Sequence, residues 1–267
     1  MNAAEGRAEL AKGGLDYVRF GQGPALVMIP GLSDGLRTVQ GLARPLALSY
    51  RRLAREFTVY LFSRVAPSRP QSTREMAAEL AQALTQLQVG PCCVLGVSLG
   101  GMIAQFLAAD HPALVRRLVL AVTQARPNPT SRAVLSHWRE LAERNDYREL
   151  MLDTARLSYT PRRARLYAAA YRLPLLPGRP DSFDRFLHQL QAGLTHDAAA
   201  LLPAVSCPTL ILGGEQDRIV TAAAALELAE LLPDSRLHIY PDLGHGLYEE
   251  APDFQKRLRD FFSDRIR

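Results

Sequence analysis

Residues 92–110 read CCVLGVSLGGMIAQFLAAD. An apolar run from Cys92 to Val97 meets a serine set among glycines, and a helical pattern then runs from Gly100 to Asp110, with Ala104 and Ala108 allowing close packing. Gly96-Val97-Ser98-Leu99-Gly100 is the G-x-S-x-G arrangement in the strand–turn–helix setting that gives it chemical meaning. A serine on so tight a turn crowds the positions two before and two after it. Glycines at 96 and 100 remove the Cβ atoms that would clash. The turn lifts the Ser98 hydroxyl above the edge of a sheet, beside the positive end of the following helix. The plain alternative is a glycine-rich turn carrying an incidental serine; the strand before it and the helix after it weigh against that.

The same alternation continues in both directions along the chain. Short apolar runs at Ala25 to Ile29, Phe57 to Phe62, Val115 to Val122, Pro208 to Leu212 and Leu237 to Tyr240 are bounded by Gly or Pro and read as strands buried on both faces. Between them lie helical patterns at Ser72 to Leu87, Thr221 to Leu232 and Pro252 to Phe262. The first opens on the capping box Ser72-x-x-Glu75 and keeps Met76, Leu80, Leu84 and Leu87 on one face. Leu15 to Phe20 reads as an antiparallel edge strand. The pattern predicts an α/β fold with a mostly parallel sheet covered by helices on both faces. It breaks once, from about Arg126 to Ala200, where no strand-like run occurs. That block offers helix starts at Thr160-Pro161 and Asp181-Ser182, and a helix end at Gly193. The expected organisation is therefore a core of residues 1–125 and 201–267, with residues 126–200 inserted after the sixth strand as a helical cap, or lid, over a site at the strand ends.

The 267 residues are 48% apolar and 22% charged, which excludes a disordered or collagen-like chain. No apolar run approaches the roughly 18 residues of a membrane span. Glu5, Arg7 and Glu9 interrupt Met1 to Leu10, so no signal peptide is expected. Cys92, Cys93 and Cys207 form neither a disulfide framework nor a metal-ligand spacing. A reduced, cytoplasmic setting with no metal follows as an expectation. The net charge of +5 would suit nucleic acid, but the basic residues, all arginine except Lys12 and Lys256, are scattered among acids rather than set in a stripe. Nucleic-acid binding is not expected. Residues 126–200 hold 12 arginines against 8 acidic residues, so most of the excess lies there. It reads either as solvated helix faces or as an attraction for an anionic substrate or surface. Gly21-Gln22-Gly23 lacks the rest of a dinucleotide fingerprint, and no phosphate-loop pattern occurs.

A serine hydroxyl needs a base. Of six histidines, His245, in Asp242-Leu243-Gly244-His245-Gly246, falls in a loop just past the last strand run, on the same sheet edge as Ser98. His111 suits a helix C-terminus and His238 lies within a strand. His137, His188 and His196 belong to the helical block and at most line a pocket. Asp217, directly after the strand run Pro208 to Leu212, is the candidate to orient His245; Glu215 and Asp242 compete with it. The chain order Ser98, Asp217, His245 is one of the known triad orders. Backbone N–H groups of Leu99, after the serine, and Leu32, in Pro30-Gly31-Leu32-Ser33, are the candidate donors to an oxyanion.

With Gly96-Val97-Ser98-Leu99-Gly100, Asp217, His245 and Pro30-Gly31-Leu32 in these positions, the chain resembles the α/β-hydrolase family, in its cap-bearing group, over nearly its whole length. The resemblance implies an eight-stranded sheet, a serine hydrolase mechanism and no cofactor. The expected activity is that of a carboxylesterase on a small-molecule ester. Lactone hydrolysis and C–C bond hydrolysis are alternatives on the same triad, and a slow-turnover ligand sensor is the alternative of a different class. Two positions depart from the family pattern. Pro30 stands where relatives commonly carry His, and the stretch from Ser63 to Ser72 lacks the glycines of D-x-R-G-x-G-x-S. Both departures reshape the rim of the pocket and leave the three side chains in place.

Overall fold

The apolar runs become the interior of one sheet. The computed structural model describes residues 2–11, 13–65, 69–171 and 179–263. Lys12, part of the stretch from Ser63 to Ser72 and part of the block 126–200 therefore lie outside the described residues. Eight strands occur among the described residues: β1 (Ala3–Ala8), β2 (Leu15–Gly21), β3 (Ala25–Ile29), β4 (Thr58–Phe62), β5 (Cys92–Val97), β6 (Val115–Ala121), β7 (Thr209–Gly214) and β8 (Ser235–Tyr240). They lie in the order β1-β2-β4-β3-β5-β6-β7-β8. From β4 to β8 every neighbouring pair is parallel, while β1 with β2 and β2 with β4 run antiparallel. One expectation needs correcting. The segment from Leu15 to Phe20 is antiparallel but not the edge, because β1 pairs outside it, Ala8 opposite Leu15 and Ala3 opposite Phe20. The sequence of β1, AAEGRA, carries no alternating large apolar residues, as suits a strand mostly exposed at a sheet edge.

The central strands β3 and β5 are apolar at every position because both faces are covered. Successive residues point to opposite faces, so Val27, Val94 and Leu118 enter one core with α2 (Thr73–Gln86) and α3 (Leu99–Asp110). Leu26, Leu95 and Val119 enter the other. Cys92 and Cys93 divide between the two cores in the same way. The second core is closed by α1 (Ala43–Ser49) and by a C-terminal helix whose Leu258, Phe261 and Phe262 are essentially inaccessible. The capping box of α2 forms as its sequence demands: the Glu75 amide donates to Ser72 Oγ, and the Glu75 carboxylate accepts from the Ser72 amide at 2.8 Å. Such a cap is worth about 1 kcal/mol.

Between β6 and β7 the chain forms α4 (Pro129–Glu143), α5 (Tyr147–Ser158), α6 (Pro161–Tyr171) and α7 (Asp184–Leu194), and no strand among the described residues. Pro161 opens α6 as its fixed φ allows. Gly193 is not the end of a helix. It lies inside α7, where a Cβ would meet Leu99 and Leu135 at ordinary contact distance, and Thr195 takes the cap position. These helices share a core built on Trp138, Tyr147, Phe183 and Phe186, which also takes in Ile219 and Val220 from the loop after β7. Asn128 caps α4 and donates from Nδ2 to the Val220 carbonyl at 2.6 Å, so the start of the helical block is tied to that loop. After β7 come α8 (Ala222–Leu231), α9 (Leu247–Glu250) and α10 (Phe254–Phe262). Among the described residues no helix is long and apolar enough to cross a membrane.

Candidate active site

The parallel strands β3, β5, β7 and β8 all deliver their following loops to one edge of the sheet, where open α/β sheets carry their sites. At the end of β5, Ser98 adopts φ 53° and ψ −120° and heads α3. A non-glycine residue in this region stores roughly 1–3 kcal/mol of strain and must be held there by its surroundings. The Ser98 amide donates to the Ala121 carbonyl at 2.9 Å, and Thr123 Oγ1 donates to the Ser98 carbonyl at 2.8 Å. The flanking glycines behave as the motif requires. A Cβ on Gly96 would stand 2.6 Å from the Gly100 carbonyl oxygen, and one on Gly100 would collide with the Ile29 carbonyl.

His245 and Asp217 reach the serine from the loops after β8 and β7. The Ser98 hydroxyl lies 2.9 Å from His245 Nε2, and His245 Nδ1 lies 2.8 Å from Asp217 Oδ2. Asp217 Oδ1 accepts from the Ile219 and Val220 amides at 2.8 and 3.0 Å. Burial by itself would raise the pKa of the Asp217 carboxyl. The His245 ring and the two backbone amides outweigh it and hold the carboxyl below its ordinary value. The rival carboxylates, Glu215 and Asp242, are exposed. The His245 loop is fastened at Gly246, whose amide donates to the Ser158 carbonyl at the end of α5 at 2.7 Å.

Leu99 is the first residue of α3 and Leu32 the first of a short 3-10 turn after β3. Amides in a first helical turn have no intrahelical acceptor and remain available to a ligand. Leu32, Ser98 and Leu99 line a narrow cavity, together with Trp138, Leu190, Val220 and other largely apolar side chains. Gln124 also lines it, fully buried, and neither its carboxamide oxygen nor its nitrogen has a partner among the described residues. A second, larger cavity borders the same turn at Pro30, Gly31 and Ser33 and carries Arg37 and Glu249.

The other histidines fall elsewhere. His111 ends α3 and His238 sits in β8 against Tyr240; His137 is exposed. His196 does not line the serine cavity. It is buried against α2 and α3, its Nδ1 is 2.9 Å from Thr73 Oγ1, and its ring is edge-on to Phe106. Burial pushes its pKa down from 6.5 to about 4, although nearby Asp197 pulls the other way. Between those values the unfolded chain takes up a proton that the folded chain refuses. Stability contributed by neutral His196 is thus complete above about pH 6.5 and is lost as pH falls towards 4, by up to roughly 1.4 kcal/mol per unit. Replacing His196 with Gln is expected to flatten the fall in denaturant-unfolding stability between pH 6.5 and 4.5. An unchanged slope would contradict this assignment.

Much of the arginine excess in the block 126–200 is engaged with other groups. Arg126 pairs with Glu227, Arg156 with Glu149, Arg163 with Glu249 and Arg185 with Asp34, and Arg139 bonds Gln191. The sequence reasoning missed four side chains behind the turn that follows β3: Asp34, Arg64, Arg185 and Gln189, all joined by hydrogen bonds. Burial lowers the Arg64 pKa to about 10, with Asp34 acting against that shift and Arg185 adding to it. The one available signal was an arginine two residues after the apolar run of β4, and nothing local in the sequence marked it as buried.

A family model for the alpha/beta hydrolase fold matches residues 24–252. A pimeloyl-(acyl-carrier protein) methyl ester esterase of Chromobacterium violaceum is 31% identical, over 90% of this chain and 95% of its own. A 2-hydroxymuconate semialdehyde hydrolase of Pseudomonas sp. strain CF600 is 28% identical, over 91% of this chain and 88% of its own. The crystal structure of the enol-lactonase from Burkholderia xenovorans LB400 shares the fold with a TM-score of 0.80 at 20% identity, covering 97% of this chain and all of that one. The sheet order, the helices on both faces and a family match over most of the length agree, and the chain belongs to the α/β-hydrolase family.

Proposed function

We propose that the protein is a serine hydrolase that cleaves small carboxylic esters through an acyl-enzyme on Ser98, with His245 as the base and Asp217 as its orienting carboxylate. The observation that carries this reading is the hydrogen-bonded relay from Ser98 Oγ through His245 to Asp217, at 2.9 and 2.8 Å, on the floor of a mostly apolar cavity. His245 Nε2 accepts the Ser98 proton as Oγ attacks the ester carbonyl. Asp217 holds the Nδ1–H and stabilises the imidazolium. The N–H groups of Leu99 and Leu32 receive the oxyanion, each worth roughly 3 kcal/mol of barrier. His245 then gives its proton to the departing alkoxide. In the second half it takes a proton from water, which attacks the acyl carbonyl and frees the acid and Ser98. Residues 126–200 act as a lid: α4 and α7 wall the acyl cavity, and the larger cavity beside Gly31 takes the alcohol.

A 31% identical methyl ester esterase supports the ester reading, and a 28% identical 2-hydroxymuconate semialdehyde hydrolase is the reason to test the alternatives. The test is a panel of p-nitrophenyl esters, lactones and a vinylogous β-diketone under one condition. kcat/KM is expected to be highest for short acyl esters and to drop roughly tenfold or more for a dodecanoyl chain that the cavity cannot hold. A 3-hydroxybutanoyl ester should outperform the pentanoyl ester, because its hydroxyl pairs with the Gln124 carboxamide. Preferred turnover of the diketone or a lactone would overturn the ester assignment. A single burst without turnover would indicate a ligand sensor.

A further inference from the structure

Arg64 follows β4, outside the relay, yet it is almost wholly buried. Its Nη1 donates to the Pro30 carbonyl at 2.7 Å. Its Nη2 donates to the Gly31 carbonyl at 2.5 Å and to Gln189 Oε1 at 2.7 Å. The Gly31 carbonyl and the Leu32 N–H belong to one planar peptide and point in opposite directions. A guanidinium that grips the oxygen therefore sets the direction of the N–H. We propose that Arg64 is a positioning residue of the oxyanion site, fixing and polarising the Gly31–Leu32 peptide and tying its orientation to helix α7. The proposal rests on the acyl-transfer reading above.

The anchoring of Arg64 explains how one side chain can do this. Asp34 Oδ2 accepts from the Arg64 amide at 3.2 Å and lies 3.3 Å from Arg64 Nε. The same oxygen accepts from Arg185 Nη2 at 2.5 Å and from Gln189 Nε2 at 3.2 Å, and both of these residues are on α7. Arg185 Nη2 also donates to the Arg64 carbonyl at 2.8 Å. The guanidinium is thus held through its backbone on both sides and through its head group by three acceptors. Helix α7 comes so close that a Cβ on Gly35 would stand 2.7 Å from the Phe186 Cα.

Charge argues for more than mechanical bracing. Burying a guanidinium is expensive, and a buried ion-pair network replaced whole by apolar residues of similar volume often loses no stability. Two guanidiniums against the single Asp34 carboxylate leave one net positive charge behind the turn, in a region of low dielectric. That charge favours negative charge developing on the other side of the peptide, where the ester oxygen becomes an oxyanion. A fixed charge of this kind acts on the transition state far more than on the neutral bound ester, so its effect belongs in kcat and not in KM.

The experiment compares wild type, Arg64→Met and Arg64→Lys with a short-chain p-nitrophenyl ester. It also measures inhibition by a trifluoromethyl ketone, which adds to a serine as an anionic tetrahedral adduct. Arg64→Met is expected to lower kcat by roughly 100-fold, with KM within about twofold, and to raise the ketone Ki in parallel with the loss of kcat. Arg64→Lys keeps the charge but cannot bridge both carbonyls, and should fall between. It also serves as the test if Arg64→Met does not fold. Unchanged kcat in the folded variants, or KM and Ki rising together, would overturn the proposal. Loss of the acyl-transfer reading itself looks different: ester turnover by wild type would then survive Ser98→Ala.

Discussion

Ser98→Ala is expected to reduce kcat for the preferred ester by roughly 10⁴- to 10⁶-fold, to the level left by substrate binding and the oxyanion donors alone. The nucleophile is lost entirely, because among the described residues no other hydroxyl shares the His245 Nε2 contact at 2.9 Å. The fold should survive. The Ser98 side chain is only half-buried, and the backbone bonds that hold its unusual conformation, to Ala121 and from Thr123, involve main-chain atoms that alanine retains. Serine and alanine pay similar strain at positive φ. The melting temperature is therefore expected to shift by only a few degrees, while a large drop would mean that Ser98 is structural. Substantial residual turnover in a folded Ser98→Ala protein would remove the acyl-enzyme from the mechanism.

Asp217→Asn is expected to cost about 10⁴-fold in kcat, with the protein still folded. The reason lies in the two backbone amides, Ile219 and Val220, that donate to Asp217 Oδ1. They demand an acceptor, so the asparagine must place its carboxamide oxygen there and turn its NH₂ towards His245. Nδ1 then has to accept, the ring proton moves to Nε2, and His245 meets Ser98 as a donor unable to take its proton. Glu215→Gln and Asp242→Asn, at exposed carboxylates, should stay within about twofold of wild type. A loss at either comparable to that at Asp217, or a loss below tenfold for Asp217→Asn, would reassign the orienting group.

The strands that position the site were legible wherever both faces are buried. The runs at Ala25 to Ile29 and Cys92 to Val97 were read residue for residue, since a core on each side requires apolar side chains at every position. The edge strand β1 was not legible as a strand, because one that buries little leaves no hydrophobic pattern. Ser98, Asp217 and His245 could be picked out because each sits at a fixed offset from such a run, and the glycines around Ser98 report a steric need that is local in sequence. The Arg64 network left no such mark. Its partners, Pro30, Gly31, Asp34, Arg185 and Gln189, come from two segments distant from Arg64 in sequence, and their roles follow only from how the chain closes on itself. Gly193 shows the converse: a glycine near the end of a helical pattern suggests a cap, but it lies inside α7 and Thr195 takes the cap position.

The central claim, that Ser98 carries the acyl group, is tested most directly by intact-mass analysis after treatment with a short-chain fluorophosphonate, followed by peptide mapping. One phosphonyl group per chain, localised to Ser98 and absent from Ser98→Ala, is the predicted result. Ester turnover by a wild-type protein that takes up no label, or takes it up at another residue, would contradict the account.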